Sequence, residues 1–134
     1  MRPLTEKNML LKNILLRAEN QFEKEIENWA KSNNVHVSYF DGKESLFEVT
    51  DAVVIIHEDH NITKEHTDLR AGIEKQYKPT HQVDINGTIS ASVNSLRFWL
   101  ENNKPANLLI IGSDKLTENP RFATYLEKLA EFIQ

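Results

Sequence analysis

The chain has 134 residues, is 40% hydrophobic and 27% charged, and carries a formal net charge of -4 with no cysteine. That length suits one domain with a real core and is short for two. The lack of cysteine excludes disulfides, thiolate metal sites and cysteine nucleophiles, and the acidic balance argues against nucleic acid or an anionic membrane surface as partner. The opening residues lack the apolar core of a signal peptide, and no apolar run approaches a membrane span, so a cytoplasmic location is expected.

In chain order, residues 6–32 read as one long helix. Leu11, Leu15, Ala18, Phe22, Ile26 and Trp29 recur at spacings of four or three, Thr5 is the expected cap with Glu6 beside it, and Asn33-Asn34 end the helix. Residues 35–40 read as a strand closed by the Asp41-Gly42 turn, and a short helix at 43–49 leads to the apolar run 52–56. A helix over 63–77 follows, with Ile62, His66, Leu69, Ile73 and Tyr77 on one face and Lys78-Pro79 as its stop. Residues 81–85 form the next strand, and Asn86-Gly87 turns the chain into a helix starting at Thr88 or Ser90, with Ile89, Val93, Leu96 and Leu100 aligned. Residues 107–111 are another continuous apolar strand. Asn119-Pro120, an Asn cap before a proline at the first helical position, opens the last helix, whose stripe is Phe122, Leu126, Leu129 and Ile133.

Four strands interleaved with helices predict an α/β three-layer sandwich, with a mainly parallel four-stranded sheet and helices on both faces. The continuous apolar strands point the same way, because strands buried on both faces belong to parallel sheets. The expected helix-first start is unusual: the first 32 residues contain no glycine and no expected strand. Gly42, Gly72, Gly87 and Gly112 are isolated, so neither a dinucleotide fingerprint nor a P-loop is present. Helix one also carries Met9, Leu10, Ile14 and Leu16 outside its main stripe. Apolar surface beyond one stripe needs a second covering surface, which predicts a homodimer.

From Asp51 onward the chain carries, in order, Asp51-Ala-Val-Val-Ile-Ile56, Lys78-Pro79 before Val83-Asp-Ile85, Trp99-Leu100, Leu108-Leu-Ile-Ile-Gly112, Pro120 and Tyr125-Leu-Glu-Lys-Leu129. This order of features resembles the putative molybdenum-carrier family, a Rossmann-like group related to nucleotide-binding phosphoribohydrolases. The resemblance covers about 84 residues, 51–134, and implies a Rossmann-like fold; with no internal repeat, low-complexity tract or linker, residues 1–134 are expected to form one such α/β domain. Three loops depart from that family's pattern. Its Gly-Gly-Gln-Thr-Gly loop has no counterpart here, its Gly-Thr helix start is replaced by Asn61-Ile-Thr-Lys-Glu65, and its Gly-Pro-Arg-Glu-Ser loop by Gly112-Ser-Asp-Lys-Leu116.

The strand at 52–56 runs into four consecutive ionisable residues, His57, Glu58, Asp59 and His60. Ligands of open α/β sheets bind outside the carboxyl ends of the strands, so this cluster stands where a site is expected. Glu58 and Asp59 are the candidate catalytic carboxylates, as nucleophile or general base on a ribosyl bond; the alternative is a solvated strand end. His57, His60, Asp84, Thr88, Ser113 and Asp114 are the candidate ligand-binding residues. The loops at 86–90 and 112–117 offer backbone N–H groups and hydroxyls to a phosphate or sugar, although turn and cap chemistry explains the same residue types. The spacing of His57, His60 and His66 matches no known zinc signature, and no metal site is assigned. The leading expectation is a domain that binds a small, nucleotide-derived molecule with little or no catalysis and an unspecified cofactor. A degenerate, non-catalytic oligomerisation or partner-binding module and an N-glycosidic-bond enzyme acting on nucleosides or nucleotides are the alternatives.

Overall fold

A computed structural model describes residues 10–17 and 20–133 of the chain. The elements are β1 (Ile14–Leu16), α1 (Gln21–Ser32), β2 (Val37–Tyr39), α2 (Leu46–Val49), β3 (Ala52–His57), α3 (Lys64–Lys75), β4 (Thr80–Asp84), α4 (Ile89–Asn103), β5 (Leu108–Gly112), a 3-10 turn (Asp114–Glu118) and α5 (Pro120–Ile133). They build a five-stranded sheet in the order β2-β1-β5-β3-β4, and all four strand pairings are parallel.

Every residue of β3 and β5 is buried. Alternation along these strands feeds two separate cores. Ala52, Val54, Ile56, Leu108 and Ile110 face one core with side chains from α1, α4 and α5. Val53, Ile55, Leu109 and Ile111 face the other, covered by Leu69 and Ile73 of α3 and by Leu46, Phe47 and Val49 of α2. The result is the expected sandwich: a parallel sheet with helices on both sides.

The strand count differs from expectation, and the physical reason lies in the first segment. Residues 6–32 are not one helix. Ile14–Leu16 is a strand between β2 and β5, with Ile14 opposite both Val37 and Leu108. A three-residue apolar run satisfies helical and strand periods equally well, and tertiary pairing decides between them. The helix begins instead at Asn20, whose side chain accepts from the Glu23 N–H at 2.8 Å, while the Glu23 carboxylate accepts from the Arg17 N–H at 2.6 Å. Asn20 followed three residues later by Glu23 has the spacing of a capping box. The expected cap at Thr5 and Glu6, together with Met9, Ala18 and Gln134, lies outside the described residues.

This correction also removes the original ground for a dimer. Ile14 and Leu16 are fully buried within their own chain, as sheet residues rather than surplus helix surface. The other boundaries agree with expectation to within a few residues. Asn33 and Asn34 end α1, with Asn34 at φ 60°. Asn119 receives the Arg121 N–H at 2.9 Å as Pro120 opens α5.

One close approach sets the end of β5. A Cβ added at Gly112 would lie 2.6 Å from the ring of Phe22 and 2.9 Å from Leu116. Both side chains are buried, and Phe22 also stacks on Phe122 at 5.4 Å, so neither has room to move away. At Gly72 the corresponding clash is with the ring of the half-buried Phe47, which can swing aside. Alanine is ordinarily better than glycine inside a strand by about 0.5–1 kcal/mol, while overpacking a core costs about 1–3 kcal/mol. Gly112→Ala is therefore expected to destabilise the fold by about 1–2 kcal/mol, and by more than Gly72→Ala does. Urea-denaturation midpoints of the two variants check the order; an unchanged or raised midpoint for Gly112→Ala contradicts the packing account.

Candidate functional site

The carboxyl ends of β3, β4 and β5 lie side by side because their register puts Ile56 opposite Gly112 and His57 opposite Asp84. The chain leaving β3 turns sharply. The Asn61 N–H donates to the Glu58 carbonyl at 3.0 Å, and the two residues between, Asp59 and His60, have φ of 53° and 65°. An i to i+3 bond around two left-handed residues is the pattern of a type I′ turn, a place normally taken by Asn-Gly. Each left-handed residue other than glycine costs on the order of 1–2 kcal/mol.

Polar side chains from three loops hold this turn. The Asp84 carboxylate accepts from the N–H groups of Asp59 at 3.1 Å and Asn86 at 3.0 Å. The Asn86 side chain donates to Asp59 at 2.9 Å and accepts from Asn119 at 3.0 Å, and Asn119 also donates to Glu58 at 2.9 Å. Arg121 ties the base of this network to the Ile85 and Gly87 carbonyls. Burial raises the Asp84 carboxyl, but the two N–H bonds and the nearby His57 and His60 outweigh it, so its pKa is net lowered.

A cleft of about 460 Å³ opens beside the turn, between the β3–α3 and β5–α5 connections. Glu58, His60, Asn61 and Thr63 line it from one side, and Ser113 and Lys115 from the other. Ile62 and Leu116 supply apolar wall. Glu58 and Lys115 also line an adjoining hollow of about 400 Å³, reaching Glu118, Asn119 and Pro120. Thr63 caps α3 by accepting the His66 N–H at 3.2 Å, and Ser113 accepts the Lys115 N–H at 3.2 Å. Each hydroxyl thereby keeps its own proton free to donate toward the cleft.

The candidate residues separate by position. Glu58, His60 and Ser113 border the cleft. His57 is buried beneath the turn, accepts the His60 N–H at its Nδ1 (3.0 Å) and stacks on the His60 ring at 5.0 Å. Asp59 and Asp84 work inside the loop network. Asp114 accepts from the Phe22 N–H at 3.0 Å, which anchors the start of α1. Thr88 is exposed at the start of α4 and makes no side-chain cap bond. Asn61, Thr63 and Lys115 are not among the expected site residues, and Asn119 is expected only as the cap of the last helix; Lys115 carries no signal beyond its place in a strand-end loop. Among the described residues, no group of three or more His, Cys, Asp or Glu side chains is arranged to hold a metal ion.

His66, placed on the inner face of its helix by periodicity, is buried with Nε2 at 3.3 Å from the Arg17 guanidinium. Arg17 also pairs with Glu65 at 3.4 Å. This joins the end of β1 to the first turn of α3.

No family model matches the chain, and none of the curated proteins matches it. A solved structure does: the "Putative molybdenum carrier protein" of Syntrophus aciditrophicus SB superposes with a TM-score of 0.61 at 14% identity, covering 92% of this chain and 95% of that one. The likeness establishes a shared fold at a distant level, Rossmann-like α/β.

Two buried histidines, His57 and His66, and the half-buried His81 give the molecule an acid response. Burial lowers the pKa of His57, His66 and His81; Asp84 and Asp59 partly oppose this at His57, and Arg17 reinforces it at His66. Each is depressed below its unfolded value near 6.5, so the unfolded chain binds more protons between the two values. Their stabilising contribution is therefore complete above about pH 6.5 and is lost as pH falls through the folded values, by at most about 1.4 kcal/mol per pH unit for each histidine titrating. Urea midpoints are expected to be level from pH 8 to 7 and to fall between pH 6.5 and 5. A midpoint unchanged down to pH 5 contradicts this assignment.

Proposed function

We propose that this chain binds a small, nucleotide-derived molecule at the carboxyl ends of β3 and β5, with little or no catalysis. The observation that carries the reading is the cleft between the two strand-end loops, where the Ser113 hydroxyl and the Lys115 ammonium stand opposite the Glu58 carboxylate. Its volume is within the range of small-molecule sites, roughly 300–1,000 Å³. Its location is also where open α/β sheets generally hold ligands. The name of the structural neighbour, a molybdenum carrier, adds oxyanions to the chemistry worth testing.

Binding is favoured over hydrolysis of an N-glycosidic bond by the state of the carboxylates. Such hydrolysis needs an acid–base pair in a water-poor pocket. Asp59 is exposed, and its carboxylate is engaged by Asn86 within the turn. A ligand that binds only the folded state raises stability by roughly 2.7 kcal/mol at a hundredfold excess over Kd. A thermal-shift screen of nucleotides, sugar phosphates, molybdate, phosphate and divalent cations is expected to give a rise of several degrees with at least one anionic compound. Lys115→Ala should abolish most of that rise while leaving the ligand-free midpoint within about 0.5 kcal/mol, as exposed substitutions do. No shift from any compound sinks the reading.

A second reading, a partner-binding module that forms a homodimer, has its own observation. Phe98 is 58% exposed and Phe132 42% exposed, and the Arg97 guanidinium lies 5.2 Å and 5.1 Å from their ring centroids. Two exposed aromatic rings around one cation, on α4 and α5, form a surface that a second copy would cover. Sedimentation equilibrium at tens of micromolar is expected to give twice the 15.5 kDa chain mass, with Phe98→Ser returning the monomer. A wild-type mass of one chain rejects the dimer.

A further inference from the structure

We infer that Glu58 and Lys115 form a two-charge recognition pair for a ribose phosphate, with Lys115 meeting the phosphate and Glu58 selecting the sugar by its hydroxyls. This rests on the small-ligand reading above and narrows it to a chemical class.

Both residues line the cleft and the adjoining hollow, so they stand on the ridge the two share. Opposite charges so placed would ordinarily pair, yet among the described residues no ion pair joins them. The Glu58 carboxylate receives one described hydrogen bond, from Asn119 at 2.9 Å. An ionised carboxylate has about four acceptor positions, so most of its capacity remains available. Its orientation is set in advance, because Asn119 is held in turn by Asn86 and by the Arg121 N–H. Fixing an acceptor before the ligand arrives lowers the ordering cost of binding.

The opposite wall donates. The Lys115 ammonium has no described partner, while its backbone N–H is tied to Ser113. The Ser113 hydroxyl beside it uses its oxygen as a cap and keeps its proton. Two donors facing a carboxylate call for a ligand that is anionic at one end and carries donors at the other. A cationic donor such as an ammonium would meet Lys115 across the same cleft and be repelled. Neutral hydroxyls would not. A phosphate joined to a sugar with adjacent hydroxyls meets both demands, and a carboxylate taking two hydroxyls of one ring distinguishes that sugar from its deoxy form, since losing one leaves a polar group unpaired.

The test is calorimetric titration of the full chain with AMP, dAMP, ribose 5-phosphate, 2-deoxyribose 5-phosphate and inorganic phosphate. AMP is expected to bind at least tenfold tighter than dAMP, and ribose 5-phosphate at least tenfold tighter than its deoxy form. Glu58→Ala should bring each pair to within about threefold, chiefly by weakening the ribo forms. The wild-type comparison needs no variant, so it decides the matter even where Glu58→Ala fails to fold. Equal affinity for ribo and deoxy forms, or a preference that survives Glu58→Ala, overturns the inference and leaves the small-ligand reading standing. Binding of inorganic phosphate alone has the same meaning. No heat from any of the five compounds overturns the inference, and the small-ligand reading stands or falls on its own thermal-shift screen.

Discussion

The register between β3 and β5 is the constraint on which the rest of the molecule depends. Because Ile56 lies opposite Gly112, the chains leaving the two strands emerge at the same level. Five consecutive parallel pairs, from Ala52 with Leu108 to Ile56 with Gly112, fix that alignment. A slip of one residue would reverse every side chain between the two cores, so burial on both faces locks the register firmly. The cleft between Glu58 and Lys115 is a consequence of that alignment. So is the position of α1, since the absent side chain at Gly112 is what admits the Phe22 ring.

The turn at Glu58–Asn61 shows local and global demands in conflict. Asp59 and His60 both adopt left-handed backbone, which a glycine would adopt without strain. The surrounding network offsets the cost, with Asp84, Asn86 and Asn119 bonding to the turn from the neighbouring strand ends. Strain held in place by its surroundings is common at ligand sites. Here it projects the His60 ring to the cleft while His57 stays buried beneath it. The polar network therefore serves the cleft indirectly, by orienting Glu58 and rigidifying its loop.

Opposite ends of the sheet use polar side chains in different ways. At the amino ends, Asn13 donates to Ser38 at 3.0 Å and Asn107 at 2.8 Å, and Asn107 donates to the Val49 carbonyl at 3.1 Å. These bonds join the starts of β1, β2 and β5 and close in on themselves. At the carboxyl ends, Lys115 and part of Glu58 are left over among the described residues. That asymmetry separates polar groups that complete the fold from polar groups that remain available.

Much of this was legible in the linear sequence because it is carried by neighbours along the chain. The apolar runs of β3 and β5, the stripe of α4, the Asn119-Pro120 start of α5 and the position of Glu58 at a strand end are all local patterns. The sequence by itself therefore determined a parallel α/β sandwich and the strand end at which the cluster from His57 to His60 lies. It did not reveal β1. Ile14, Leu15 and Leu16 are too few to display a period, and only pairing with Val37 and Leu108 makes them a strand. Nor could it separate Ser113, which borders the cleft, from Asp114 beside it, which anchors Phe22. Adjacent residues at a strand end point to different neighbours, and which neighbour each meets is settled only when distant strands come into register.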